Sequence, residues 1–529
     1  MPFASTPTIA LDGAVGHLVD VQADVSQGQA GLTMVGRSDV SLNEAPHRCR
    51  MAVHNTNLDW PTSRRITILL SPSDLPKRGT HFDLAIALAV LKADRQLPSV
   101  DLSASVFIGE LTLSGGLRSV PGVLPMVLAA AQRGIRRVFV PEPQAHEAAM
   151  VPDMTVFGMR SLGQVVAELS GEEVPEAPPV APMSGGRLLS WRGEERLDEV
   201  DLADVQGLEE ARYAVEVAAA GGHHLLLSGP KGCGKTTLAE RIPGVLPELT
   251  IQESIEVTAL HSLAGALGEE DGLIRRPPFT APHHDASKAS ILGGGSGRVR
   301  PGEVSRAHCG VLLLDEFPLL RTDVIDALRQ PLESGEVTIA RGEESVTYPA
   351  RGIVVFAANP CPCGDYRADA RDNHCTCGER QRRDYLRRVR GPITDRIDIT
   401  RHLQPLRPHE QRDRWAVPEP SAAVRERVVA ARARQSARYL DRSWRLNAHV
   451  PGPVLLREWP LPPPAQRVVD EAMYKGELSR RGATRVQRLA WTVADLAGAD
   501  SPAVEHARTA LALRQGEPLL AAAIRRAVS

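Results

Sequence analysis

The sequence predicts an α/β protein. A doubly wound parallel sheet is built around a phosphate loop, with a second α/β domain before it and a helical C-terminal lid after it. Three observations predict this. In LLLSGPKGCGKTT (225–237) a short apolar run turns abruptly into a glycine-rich loop and then a helical pattern. Two further apolar runs, VLLLDE and VVFAAN, end in polar side chains, at the strand ends where ligands of parallel sheets collect. Beyond residue 420 the chain is rich in alanine and arginine, with apolar residues at helical spacing.

Taken in order, residues 1–170 form the first α/β domain. RRITILLSP (64–72) is strand-like, FDLAIALAVLKA (82–93) helix-like, and SVFIGELTL (105–113) alternates as a strand should. VLPMVLAAAQRG (123–134) is a helix closed by Gly134, followed by the strand IRRVFVP. Residues 171–195 are a linker, and their proline- and glycine-rich part, 171–186, is expected to join no core. Residues 196–405 hold the nucleotide motifs, including a β-hairpin around Arg341-Gly342-Glu343 before the buried strand GIVVFAAN. Residues 406–529 are the lid, whose helical stretches 421–440 and 465–527 are separated by LPPP at 461–464.

At 529 residues the chain has room for roughly three domains with proper cores. A formal net charge of -2 gives no global pull toward nucleic acid or membrane, so an anionic partner must meet a local basic surface. No apolar run reaches the ~18 residues of a membrane span, and MPFASTPTIALDGAV lacks the basic and apolar segments of a secretory signal. Seven cysteines, four of them between 361 and 377, argue against a disulfide scaffold. A reducing, cytoplasmic setting is expected.

The loop Gly229, Pro230, Lys231, Gly232, Cys233, Gly234, Lys235, Thr236, Thr237 has P-loop spacing and predicts a nucleoside triphosphate site for ATP. Glycines let backbone N–H groups face the phosphates, Lys235 reaches the β/γ-phosphates and the Thr236 hydroxyl ligates Mg²⁺. Asp315 and Glu316 end the VLLLDE strand. One carboxylate is needed to hold Mg²⁺, Asp315, and one to polarise the attacking water, Glu316. Asn359 ends the next strand, where a neutral amide can bond both γ-phosphate and water; the alternative is an asparagine capping the turn before Pro360. Cys233 is either an oxidation-sensitive thiol in the loop or a buried inert one.

Cys361, Cys363, Cys375 and Cys377 flank an eleven-residue polar loop. Two thiol pairs can complete a tetrahedral Zn²⁺ site of structural type, because a closed Cys₄ set leaves no position for water. His374 is an alternative ligand, and four unligated thiols are the bland reading. ERQRRDYLRRVR (379–390) follows with six arginines that such a clip could present to DNA or to a neighbouring subunit.

GPKGCGKT, VLLLDEF, FAANPCPCG and GPITDRIDI, with APHHDASKASILGGG (281–295) and RPGEVSRAHCG (300–310), resemble the magnesium-chelatase-like AAA+ proteins of the ComM (YifB) type over nearly the whole chain. The resemblance implies an AAA+ P-loop doubly wound sheet and a homo-oligomeric ring, usually a hexamer, with ATP at subunit interfaces. Arg396 in GPITDRID would be the arginine finger, and Arg481 in LSRRGATRVQRLA the sensor-2 arginine of the lid. Arg485 is the runner-up for that role, although for Arg485 and Arg488 a solvated helix face is expected. Residues 281–305 and 337–351 resemble the helix-2 insert and pre-sensor hairpin that point into the channel of ring-shaped DNA helicases. Six Lys/Arg (275, 276, 288, 298, 300, 306) stand there against Asp285 and Glu303, which suits phosphate contact. His283 and His284 are left unassigned. The resemblance implies single-stranded or branched DNA as partner, and aromatics at 4% argue against base-stacking readout, so any such binding is expected to be sequence-tolerant.

The first domain is similar to the proteolytic domain of Lon-type proteases, LPKRGTHFDLAIALAVL and IGELTLSGGLRSVPGVLPMVLAAAQRGIRRVFVP. His81 falls where the nucleophilic serine should be and Leu124 where the lysine base should be, so no peptidase activity is expected. The implied function is helicase-like branch migration during integration of homologous DNA, as in natural transformation. Two other classes stay open: a motor subunit of a metal chelatase, and a protein-remodelling chaperone. The chaperone reading expects an aromatic-apolar-glycine pore loop, and none stands out between the two nucleotide motifs.

Overall fold

The structure is a computed structural model. It describes residues 3–37, 39–97, 100–181, 183, 199–268, 271–295, 299–341, 344–366, 374–389, 391, 393–405, 419–521 and 524. Among these, no helix is long and apolar enough to cross a membrane.

The first domain has two larger sheets and one of two short strands. Four strands run in the order Phe3–Asp12, Val15–Ser26, Arg65–Ser71, Gly31–Val35, and three parallel strands in the order Ser105–Phe107, Arg137–Pro141, Thr155–Met159. Between Asp12 and Val15, which are register partners, Gly13 turns the chain with φ of 59°, the left-handed conformation that tight hairpins require. In the second strand Val19, Val21, Ala23 and Val25 are buried, a period-two face packed on the nearly all-buried helix Asp83–Ala93. The 105–113 segment is two strands, not one. Ser105–Phe107 lies in the parallel sheet and Glu110–Leu111 pairs with Leu117–Arg118. The break falls at Gly109, whose N–H bonds to His81 O and whose carbonyl accepts from Leu84 N, tying the chain to the helix start instead of to a strand. The linker also departs from expectation. Val180 is buried in the first domain's core, and Pro175 and Ala177 carbonyls accept from Gln164 and Arg160; residues 182 and 184–195 lie outside the described set.

The central sheet has five parallel strands in the order Phe279–Thr280, Val311–Leu314, Ile353–Ala358, Leu225–Ser228, Ile399–His402. Their continuous apolar runs reflect burial on both faces. Leu225, Leu227, Val311, Leu313, Ile353, Val355 and Ala357 enter one core, while Leu226, Leu312, Leu314, Val354, Phe356 and Ala358 enter the other. This is a P-loop α/β fold.

Among the described residues, the C-terminal helices Ser421–Arg438, Pro463–Tyr474, Arg480–Leu496 and Val504–Gln515 share the central core. Val424, Val428, Val486, Leu489 and Leu513 join the same core as Leu225 and Val355. Arg427 reinforces the joint by pairing with Glu216 at 2.6 and 3.0 Å. The hairpin Glu336–Arg341/Glu344–Pro349 packs on the insert, with Tyr348 buried and its hydroxyl donating to Val299 O at 2.8 Å. The first domain's turn rests on the same hairpin: a Cβ at Gly13 would lie 3.1 Å from Val346.

Candidate nucleotide site

The site lies at the carboxyl ends of the three middle strands. Leaving Leu225–Ser228, Gly229 donates its N–H to Ala358 O at 3.1 Å, and a Cβ there would sit 2.4 Å from Leu403 O. Only glycine fits between the two flanking strands. Gly232 and Gly234 have φ of 75° and 87°, conformations that keep the loop tight before the short helix Lys235–Ala239. The helical pattern is interrupted sooner than the sequence suggests, with a second short helix at Ile242–Val245. Thr237 O accepts from Arg241 at 2.8 Å, and the same guanidinium reaches Asp201 O and Asp204, drawing residues 201–204 toward the loop.

The Lys235 ammonium is buried and donates to Gly229 O at 2.7 Å, Pro230 O at 3.0 Å and Asn359 Oδ1 at 2.9 Å. Asn359 Nδ2 in turn donates to Glu316 Oε1 at 3.1 Å. The Thr236 hydroxyl donates to Asp315 Oδ2 at 2.8 Å, and Asp315 Oδ1 accepts from Glu316 N at 2.8 Å. Lys235, Thr236, Asp315, Glu316 and Asn359, picked from three separate stretches of sequence, thus form two short hydrogen-bonded chains at the carboxyl end of the sheet. The Thr236 hydroxyl and Asp315 carboxylate are a hard-oxygen pair suited to Mg²⁺. Glu316 has φ of 48°, a left-handed conformation strained for a side-chain-bearing residue, and it turns the chain at the strand end. Cys233 is buried, and burial pushes its thiol above the usual range, which fits the inert reading rather than a reactive one.

The structure adds residues that the sequence did not single out. Tyr385, buried on the helix Glu379–Val389, accepts from Asn359 N at 3.2 Å, and burial raises its phenol pKa. Lys231 N donates to Gly364 O at 3.3 Å, joining the phosphate loop to the cysteine segment. A Cβ at Gly234 would meet Leu208 at 3.4 Å, so the 201–208 segment borders the loop. The unassigned His284 lies with Nδ1 3.8 Å from Glu316 Oε2, and its ring meets that of His283 at a tilt of 33°. Pairing distances in the fold carry these contacts, and no local spacing signals them.

The arginines fall in different settings. Arg396 is largely covered and pairs with Glu333 at 2.8 Å. Arg481 is exposed on the first turn of Arg480–Leu496, behind the Ser479 cap. Arg485 and Arg488 correct the expectation of a solvated face. Arg485 bonds the buried Asp398 at 2.5 Å, and Arg488 donates to Val450 O at 2.5 Å. Although burial opposes ionisation of Asp398, Arg485 and His223 hold its carboxyl well below the usual range. The helix faces the sheet's core there, because Val486, Leu489 and Ala490 must be buried and their neighbours follow.

The four Sγ atoms of Cys361, Cys363, Cys375 and Cys377 lie within 4.8 Å of one another, while His374 is exposed and outside that group. Arg275, Arg276, Lys288 and Arg300 are exposed; Arg306 pairs with Glu303 at 2.8 Å, and Arg298 lies outside the described residues. On the Glu379–Val389 helix Arg380, Arg383, Arg387 and Arg388 are exposed, and Arg390 is outside the described residues. In the first domain His81 is buried with Nε2 2.9 Å from Ile9 O, and Leu124 is buried in the core.

Known proteins align with this arrangement along the chain. The family model for magnesium chelatase subunit ChlI matches residues 201–411, that for the subunit ChlI of Mg-chelatase 21–144, and that for the ChlI C-terminal region 418–514. An uncharacterized protein of Mycobacterium tuberculosis is 44% identical over 508 residues, covering 96% of this chain and 98% of its own. The uncharacterized protein YifB of Escherichia coli is 38% identical over 522 residues, 98% of each chain. The competence protein ComM of Haemophilus influenzae is 37% identical over 504 residues, 95% of each.

Proposed function

The chain belongs to the magnesium-chelatase-like AAA+ family of the ComM and YifB type, and from that premise we propose that it is an ATP-hydrolysing ring motor acting on DNA. One observation carries the ATPase reading: the continuous chain Lys235–Asn359–Glu316 beside the Thr236–Asp315 pair. Lys235 would hold the β/γ-phosphates, and Thr236 with Asp315 would hold Mg²⁺, which would neutralise phosphate charge. Glu316 accepts the proton of the attacking water. Asn359, bonded to both Lys235 and Glu316, registers the γ-phosphate and relays its loss to the carboxylate. Arg396 would complete a neighbouring protomer's site in a hexameric ring once released from Glu333, and Arg481 would act from the lid.

The DNA part rests on the exposed Arg275, Arg276, Lys288 and Arg300 and on likeness to a protein named for competence. On this reading the motor works in the cytoplasm on single-stranded or branched DNA without sequence preference, promoting branch migration while homologous DNA is integrated. The first domain, with His81 and Leu124 at the positions expected for the serine and the lysine, serves assembly or docking and not proteolysis.

The test is ATP turnover and unwinding of a synthetic four-way junction, wild type beside Glu316→Gln. Turnover should rise with single-stranded or branched DNA in a salt-dependent way. The variant should bind ATP yet lose on the order of 10²–10⁴-fold in turnover. Indifference to every DNA, with stimulation by unfolded polypeptide or by a porphyrin-metallating partner, would transfer the protein to the chaperone or chelatase class.

A further inference from the structure

The thiol cluster lies against the nucleotide site, and its dimensions say what it can hold. Cys361 and Cys363 Sγ are 3.2 Å apart, Cys363 and Cys375 3.6 Å, and Cys375 and Cys361 3.6 Å. Cys377 Sγ accepts from Cys363 N at 3.4 Å. Four metal–sulfur bonds of about 2.3 Å around a tetrahedral ion give sulfur–sulfur edges of about 3.8 Å. The observed spacings are close to that and far longer than a disulfide bond. A four-iron cluster would place its own inorganic core between the thiolates and drive them apart. A single soft-ligand ion of tetrahedral habit fits, and zinc is the ion that closed structural Cys₄ sets commonly hold.

Both arms of the cluster end on the ATP site. From Asn359 the chain passes Pro360 into the turn Cys361–Gly364, closed by Gly364 N bonding Cys361 O at 3.0 Å. Gly364 O then accepts from Lys231 N in the phosphate loop, and the Lys231 stem covers the turn so closely that a Cβ on Gly364 would meet it at 2.6 Å. From Cys375 and Cys377 the chain passes Gly378 into the helix Glu379–Val389, whose Tyr385 accepts the Asn359 N–H. The two arms are joined at the four sulfurs. Neutral thiols at these distances attract one another weakly, whereas a metal bond set fixes both arms at once.

We propose that Cys361, Cys363, Cys375 and Cys377 bind one zinc ion, and that this ion is a positioning strut for the ATP site. It holds Gly364 against the phosphate loop and Tyr385 beneath Asn359. Binding deprotonates the thiols, the protons pass to solvent, and the closed four-sulfur shell leaves the ion no part in hydrolysis. The coupling half of the proposal rests on the ATP reading above; the metal half does not.

The experiment uses the full chain. Metal analysis should find one zinc per chain, and cobalt substitution should give the intense thiolate charge-transfer and tetrahedral absorption bands of a CoS₄ centre. Stripping the metal with a mercurial reagent, or Cys363→Ser with Cys377→Ser, should weaken a fluorescent ADP analogue and lower turnover by about 10–100-fold, the loss expected for outer-shell support. Added zinc should restore the stripped wild type. Because cysteine variants can fail to fold, Tyr385→Phe is the second arm: it should keep the zinc while changing nucleotide affinity or turnover. No zinc and no cobalt bands overturns the site. Metal loss, in protein still folded by circular dichroism, with nucleotide binding and turnover unchanged overturns the strut. Zinc in a wild type that binds no nucleotide overturns the ATP reading and the strut together and leaves the metal site standing.

Discussion

The candidate nucleotide site and the heart of the first domain both contain a lysine, a carboxylate and neighbouring polar groups, yet they are built to opposite ends. In the central domain Lys235, Asp315, Glu316 and Asn359 stand at strand ends, bonded to one another in positions a phosphate and a metal can enter. In the first domain Lys77 is buried and donates to Pro72 O, Asp83 is buried in a pair with Arg48 at 2.8 Å, and His81 bonds a strand carbonyl. Desolvation dominates there. It raises Asp83 to about 6 despite the guanidinium beside it. Asp315 and Glu316 are only half-buried at their strand ends, where a ligand can reach them; Lys77, Asp83 and His81 are enclosed in the first domain and hold it together.

Two lysines test that contrast most strongly. Lys235→Ala should reduce ATP turnover on the order of 10³-fold, as removal of fixed electrostatic support does, and it also frees Gly229 O, Pro230 O and Asn359 Oδ1, so the apoprotein should lose stability as well. Lys77→Ala should affect stability alone. It removes a buried side chain and its hydrogen bond to Pro72 O and should cost about 1–3 kcal/mol of stability, while turnover per folded molecule stays at the wild-type value. A Lys77→Ala protein that melts normally but has lost turnover would erase the distinction.

Much of this division was legible in the chain itself. Continuous apolar runs ending at Ser228, Asp315 and Asn359 announce strands buried on both faces, and burial on both faces is what a parallel sheet imposes. The first domain was harder to read. Its opening strand Phe3–Asp12 buries five consecutive residues, Thr6–Ala10, so alternation is lost, although the Asp12-Gly13 turn signal was there. Helix Arg480–Leu496 shows the other limit. Arginine at 485 looks solvated by composition, and only the fold brings it to Asp398 from 87 residues away. Tyr385 and Gly364 became part of the site in the same way, through long-range placement that local spacing cannot encode.

That lid helix offers the second test. Arg485→Ala should strip the buried Asp398 of its guanidinium and destabilise the protein by roughly 3 kcal/mol, since a buried charge loses its partner. Arg481→Ala, on an exposed turn, should leave the melting temperature within a degree or two and lower turnover if it acts from the lid. Equal melting temperatures for the two variants would show that position on the helix, inward or outward, does not separate support from chemistry here.

The smallest effect is expected where the two regions touch. Glu147 of the first domain accepts from Leu124 N at 2.7 Å and from the Ser262 hydroxyl of the central domain at 2.5 Å, with the Gln144 amide at 3.4 Å. These partners carry no charge, so burial raises its pKa. The sign follows from linkage. A carboxyl whose folded pKa exceeds its unfolded one, near 4.5, contributes stability below that unfolded value, and the contribution is lost as pH rises through the folded value. Glu147→Gln keeps an acceptor for Leu124 and Ser262 but cannot ionise. Its stability should therefore fall less with rising pH than that of the wild type, and at neutral pH it should equal or exceed the wild type by up to about 1 kcal/mol. Denaturant unfolding at a series of pH values above 4.5 measures both slopes, and a variant as steep as the wild type would mean that Glu147 is already ionised where the domains meet.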